Sequence, residues 1–189
     1  MNSIEKIEEF AKENYVPIAR KETLEYIKKI FKENNYKSFL EIGTAIGYTC
    51  INVALIDPSI RILTLEYEEK RFNIAKENIK DFKVENQIQQ VYGDARFFYP
   101  DLYYDVIFID AAKAKNIKFF EKYEVNLKEN GIIIIDNIEL NDFKKNVSPK
   151  KAKFYEGKIN ELKEYLASLT NYDVRYSEIG DGIAILKKK

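Results

Sequence analysis

The sequence contains no histidine. It therefore lacks the side chain most often used as a general base and metal ligand near neutral pH. Chemistry in this chain must rest on carboxylates, lysines, tyrosines, amides or a metal held by oxygen. Cys50 is the single cysteine, which excludes an internal disulfide framework and fits a reducing, cytoplasmic setting. No apolar run approaches the ~20 residues of a membrane-spanning helix. The opening "MNSIEKIEEF" mixes acids and bases and does not have the pattern of a signal peptide. Lys+Arg and Asp+Glu are 31 each, for a formal net charge of zero, so overall electrostatics points to no nucleic acid. Internal repeats and low-complexity linkers are also absent.

What is present reads as an ordinary globular chain. Its 189 residues are 46% hydrophobic and 33% charged, enough to bury the core of one domain over 1–189. Residues 3–14 are expected to be helical, with Asn2 and Glu5 spaced as a capping box. Pro17 interrupts, and a second helix fits 21–34, so residues 1–35 form an N-terminal helical cap. Short apolar strands fit 37–43, 61–67, 87–93, 105–110 and 131–137. Helices fit 44–56, 68–82 and 115–129 between them. A long helix fits 149–169, with Ser148 as N-cap and Pro149 at its first position. The tail reads as two strands joined by a turn around Gly180–Gly182.

Strands alternating with helices predict an α/β fold, a mostly parallel seven-stranded sheet with helices on both faces. "VIFI" and "IIII" fit central strands buried on both sides. The closing hairpin predicts an antiparallel strand at one edge. In such sheets the ligand lies beyond the carboxyl ends of the strands. Taken in order, those ends carry Glu41-Ile42-Gly43, Glu66, Gly93-Asp94, Asp110 and Asp136-Asn137. Any one acid there could cap a helix. Five strands in a row delivering carboxylates to one rim are not explained by capping, because clustered like charges cost stability unless a ligand offsets them.

The turn "EIGTAIG" lacks the first glycine of the dinucleotide pattern G-x-G-x-x-G, which argues against a pyrophosphate ligand. Glu66, 23 residues after Gly43, could accept hydrogen bonds from both ribose hydroxyls of an adenosine ligand. Together they point to a nucleoside cofactor without a diphosphate. Asp110, Asp136 and Asn137 offer oxygen-only ligation suited to Mg²⁺ or Ca²⁺. Asp136-Asn137 could also be a plain turn, and Lys113 a solvated helix-start lysine. Beside a cation, Lys113 could lose its proton readily enough to serve as a base. Residues 144–153, "KKNVSPKKAK", hold five lysines and no acid. They are either a solvated helix start or a phosphate-contacting patch at Lys144, Lys145, Lys150, Lys151 and Lys153.

"FLEIGTAIGYTC", "LTLEYEEKRFNIAKENI", "GDA", "DVIFIDAAKAKN", "GIIIIDN" and "IGDGIAILKKK" resemble, in order, the motifs of the cation-dependent O-methyltransferases, which use S-adenosylmethionine (SAM). That family includes catechol and caffeoyl-CoA O-methyltransferases, and the resemblance covers nearly the whole chain. It implies the Rossmann-like methyltransferase sandwich. It implies that Glu41, Gly43, Thr44 and Gly47 shape the methionine side of the pocket. Glu66 would then hold the ribose, and Asp94 and Ala95 would lie against the adenine. Asp110, Asp136 and Asn137 would hold Mg²⁺ or a similar cation, with Asp110 also beside the cofactor and reacting centre, and Lys113 would be the general base. "VPIA", "FIDAAK" and the basic stretch after "DN" most resemble the bacterial branch that methylates 5-hydroxyuridine at the tRNA wobble position. The implied partner is then a tRNA anticodon loop, with a small catechol-like acceptor as the alternative. Relatives of this kind are commonly homodimers. The chain departs from its relatives at "IELNDF" after "DN" and at "AKAKN" after Asp110, both expected to border the acceptor. A non-catalytic binding module is disfavoured by the full set of Asp110, Lys113, Asp136 and Asn137, since a pure binder has no use for a base beside a metal.

Overall fold

A computed structural model describes residues 3–139 and 147–189. Its strands are β1 (Ser38–Ile42), β2 (Arg61–Glu66), β3 (Ile88–Tyr92), β4 (Tyr104–Ile109), β5 (Leu127–Asp136), β6 (Tyr172–Ser177) and β7 (Ile183–Lys188). They form one seven-stranded sheet in the order β3-β2-β1-β4-β5-β7-β6. All neighbours from β3 to β5 run parallel, and β7 runs antiparallel to both β5 and β6. The expected antiparallel pairing at one edge is therefore present. No helix among the described residues is long and apolar enough to cross a membrane.

The helices are α1 (Ile4–Glu13), α2 (Lys21–Asn34), α3 (Tyr48–Ala54), α4 (Glu69–Asp81), α5 (Asn116–Tyr123) and α6 (Pro149–Ser168). Alternation along the strands sends side chains to two separate cores. On one face Phe39 and Phe108 stack at 6.3 Å beneath Ile27 and Phe31 of α2 and Ile51 of α3. On the other, Leu40, Ile107 and Ile133 pack against Phe120 and Tyr123 of α5 and Leu162 and Leu166 of α6. The central residues Val106–Phe108 and Ile133–Ile135 are fully buried, as expected for strands covered on both faces. α1 and α2 lie on the first face with α3, as the N-terminal cap.

The boundaries differ from expectation at three places. The first helix is capped by Ser3, whose side chain accepts from Lys6 N; Asn2 lies outside the described residues. α3 starts at Tyr48, four residues later than its apolar pattern, because Gly43, Ala45 and Gly47 all take positive φ. The expected helix over 115–129 stops at Tyr123, passes through a short 3₁₀ turn at Glu124–Asn126, and gives way to β5 at Leu127. Leu127 is drawn into the sheet by pairing with Tyr104, across an irregularity in register before Val106. α6 has the predicted Ser148 cap, with Lys151 N donating to its hydroxyl.

Phe108→Ala removes a fully buried ring and should cost about 3–5 kcal/mol. Urea unfolding reads this; a change near zero would show that the cap does not pack on the sheet as described.

Candidate functional site

The parallel register of the sheet decides which side chains meet. Ile42 pairs with Ile109, and Ile109 with Ile135, so the residues that follow emerge side by side at one rim. A cavity of about 1130 Å³ opens there. Its wall includes Gly43, Thr44, Glu66, Asp94, Ala95, Asp110, Lys113 and Asn137, and on the cap side Val16–Arg20.

The glycine turn folds back on β2. Gly43 N and Thr44 N both donate to Leu65 O at 3.0 Å. Gly43 has φ +105°, and a Cβ there would sit 2.2 Å from the carbonyl oxygen of Asp110. Only glycine lets the turn approach the strand end this closely. Glu66, at the tip of β2, accepts from Ala45 N and Glu68 N, each at 2.9 Å. Burial raises its pKa, and these amides oppose the rise. The two bonds orient the carboxylate across the turn, where each oxygen retains lone-pair capacity for a hydroxyl.

Glu41 does not line the cavity. It is 1% exposed beneath the glycine turn, where the Thr64 hydroxyl donates to its carboxylate. Thr64 in turn shares a hydrogen bond of 2.5 Å with Thr44, which does reach the cavity wall. Burial pushes the Glu41 carboxyl up to about 8. Its part in shaping the pocket is therefore indirect, through the two threonines.

Asp94 follows β3 and is ion-paired with Arg96, whose Nε and backbone N also donate to it. The guanidinium holds its pKa down at about 2. The Ala95 carbonyl accepts from Tyr123 Oη at 2.6 Å, which fixes this side of the cavity to α5. Lys115 lines the same cavity and adds its positive charge near Asp94.

The densest charge lies where β4 and β5 end. Asn137 takes φ +63°. Its side-chain amide donates to Asp110 Oδ1 at 2.9 Å and its backbone N to Asp136 Oδ1 at 2.8 Å. Asp136 is 3% exposed. Burial, and then the charge of Asp110, raise its pKa well above the carboxylate range. Burial likewise raises Asp110 to about 6, against the pull of Lys113. Burial lowers Lys113, with Asp110, Asp136 and Asp181 opposing. Among the described residues no three His, Cys, Asp or Glu side chains converge as metal ligands; the candidate set is two carboxylates and one amide. That set fits a hard, partly hydrated divalent cation, since two adjoining carboxylates, that of Asp136 buried, repel and an amide oxygen can complete an all-oxygen corner.

The sequence reading missed Asp181, between Gly180 and Gly182, which it took as a plain turn. Asp181 lines the cavity, pairs with Arg20 at 2.8 Å and acts electrostatically on Asp110, Asp136 and Lys113. An antiparallel strand begins at the rim where its parallel neighbours end, so the hairpin tip could have been included. Lys150, Lys151 and Lys153 are exposed at the start of α6, just beyond Val147 of the cavity wall. Lys144, Lys145 and Phe143 lie outside the described residues. Phe154 in α6 is 53% exposed.

A family model described as O-methyltransferase matches residues 3–189. A catechol O-methyltransferase of Mycobacterium tuberculosis is 34% identical over 104 residues, 52% of this chain and 47% of its own length. A provisionally named caffeoyl-CoA O-methyltransferase from Staphylococcus aureus superposes with a TM-score of 0.92 at 38% identity, over 100% of this chain and 93% of its own. An O-methyltransferase from Bacillus cereus, solved in complex with SAH, shares the fold at a TM-score of 0.82 and 22% identity, over 98% and 90% of the two chains.

Glu41 gives a test with a definite sign. Its folded pKa is raised from 4.5 to about 8, so its contribution to stability is full below 4.5 and is lost as pH rises through about 8. Glu41→Gln keeps the shape and removes the charge. The melting temperature of the variant should gain on the unaltered protein steadily between about pH 5 and about pH 8. A constant difference would mean that Glu41 is not protonated in its buried site.

Proposed function

Because the chain belongs to the O-methyltransferase family, we propose that it transfers the methyl group of SAM to an acceptor hydroxyl beside the Asp110–Asp136–Asn137 corner. The observation that carries this reading is the position of Lys113. It lies in the 3₁₀ turn directly after β4, on the wall of the same cavity that Glu66 enters from β2. Nucleoside and acceptor would thus meet across one rim.

In the proposed reaction the acceptor oxygen attacks the methyl carbon in line with the sulfonium sulfur. The O–C bond forms as the S–C bond breaks, S-adenosylhomocysteine leaves, and Lys113 takes the hydroxyl proton. Burial already disfavours the charged ammonium of Lys113, which suits a proton acceptor. Glu66 and the glycine turn would hold the ribose and the methionine end. Asp110, Asp136 and Asn137 would hold a divalent cation, which when bound supplies Lewis acidity and a fixed position for two neighbouring acceptor oxygens. Much of the acceleration would come from holding two reactants in line, for which effective molarities reach ~10⁵ M or more.

For the acceptor we favour 5-hydroxyuridine at the tRNA wobble position, whose neighbouring C4 and C5 oxygens suit such a corner. Support comes from the exposed Lys150, Lys151 and Lys153 next to Val147, with Phe154 exposed among them. Single-stranded RNA is read by splayed bases stacked on aromatics and flanked by phosphates. A small catechol is the second reading, favoured by the M. tuberculosis relative. The cytoplasmic setting rests on the lone cysteine, and a homodimer on the resemblance to relatives.

Asp136→Ala should abolish cation-dependent methyl transfer while SAM affinity, measured by calorimetry, stays within a few-fold; normal turnover would sink the assignment of the corner. Lys113→Met should lower kcat by about 10²–10⁴-fold with little change in KM, and an unchanged kcat would remove it as the base. If the acceptor is tRNA, affinity should fall with salt at a log–log slope of about −0.7 per phosphate contact. Mass spectrometry of tRNA nucleosides from a strain lacking the gene separates the acceptors: accumulated 5-hydroxyuridine supports tRNA, and an unchanged profile supports the small catechol.

A further inference from the structure

We propose that Arg20 and Asp181 form a positioning pair that fixes the acceptor-side wall of the cavity. The inference rests on the methyl-transfer reading for its kinetic consequence, but its structural content stands apart from that reading. Arg20 Nε donates to Asp181 Oδ2 at 2.8 Å, with side chains 46% and 29% exposed. A pair this exposed contributes little to global stability. Its location gives it a different use.

Arg20 ends the connection between α1 and α2, and Val16–Arg20 line the cavity. Asp181 sits at the tip of the β6–β7 hairpin, between two glycines of positive φ. A Cβ at Gly180 would lie 2.4 Å from Thr23 Oγ1 and 3.0 Å from Arg20 Cβ. A Cβ at Gly182 would lie 2.5 Å from Glu139 Cγ. The hairpin tip is therefore wedged between the start of α2 and the segment leaving β5. Two backbone bonds complete the wedge: Ile138 N donates to Gly182 O at 3.0 Å and Glu139 N to Asp181 O at 2.9 Å. Ile138 directly follows Asn137. One turn thus joins three segments that meet at the acceptor end: the cap, the end of β5 and the hairpin. The ion pair is its side-chain link to the cap, and it keeps the Asp181 charge engaged beside Asp110 and Asp136.

The test uses Asp181→Asn, Arg20→Gln and the charge-swapped double variant Arg20→Asp/Asp181→Arg. Acceptor probes are an RNA hairpin carrying 5-hydroxyuridine and 3,4-dihydroxybenzoate. Each single variant should raise acceptor KM by about fivefold, the scale on which such a pair acts. SAM affinity and melting temperature should hold, and the swap should recover most of the loss. Hydrogen exchange needs no acceptor. The amides of Val16 and residues 18–20 should exchange faster in both single variants and return toward normal in the swap. Unchanged KM with unchanged exchange would overturn the proposal. So would equal losses of SAM affinity and melting temperature, which would make the pair merely structural. If the unaltered protein methylates neither probe, the reaction reading fails while the exchange arm still decides whether the pair holds the cap.

Discussion

Parallel pairing of β4 with β5 sets Ile109 opposite Ile135, and this leaves Asp110 and Asp136 no choice but to emerge together. Asp136 is almost fully buried, and each carboxylate raises the cost of ionising the other. The fold meets that cost locally. Asn137 takes a left-handed conformation and donates to both acids, and Lys113, at the start of the next segment, acts on them with its positive charge. Hydrogen bonds and one lysine partly offset two adjoining carboxylates, and a divalent cation would complete the compensation. The remaining features of the rim are arranged around this corner.

The glycine turn shows how. A side chain at Gly43 would strike the Asp110 carbonyl, so the turn that would hold the methionine end of a nucleoside is packed directly on the strand that supplies the corner. Glu66 is then tied to the same turn through Ala45 N. Beneath it, Glu41 and Thr64 form a buried polar support that reaches the cavity wall only through Thr44. A chain without histidine thus sets together carboxylates and a lysine whose charged forms are disfavoured by burial.

The sheet and its rim were legible because both depend on short-range patterns. Runs such as "VIFI" and "IIII" mark doubly covered strands, and the residue after each run names the rim. Glu66, Asp94, Asp110, Asp136 and Asn137 were all named that way; Glu66, Asp94, Asp110 and Asn137 line one cavity, and Asp136 lies buried behind Asn137. Burial against a third element was harder to see. Glu41 is the penultimate residue of an apolar strand, so it points to the α3 side and is covered, which the packing of Thr64 and Cys50 reveals. Asp181 was missed because strand polarity matters: the start of β7, not its end, lies at the rim. The helix expected to run to 129 stops early because Leu127 joins the sheet, a pairing across 23 residues of chain between Tyr104 and Leu127 that no local pattern encodes.

The central claim is that Asp110 and Asp136 stand together to receive a cation, and thermal unfolding with and without millimolar Mg²⁺ or Mn²⁺ tests it without any acceptor. The account predicts a melting temperature that rises with the divalent ion, and a rise that disappears when both aspartates are replaced by asparagine. A melting temperature indifferent to the ion in the unaltered protein would contradict it.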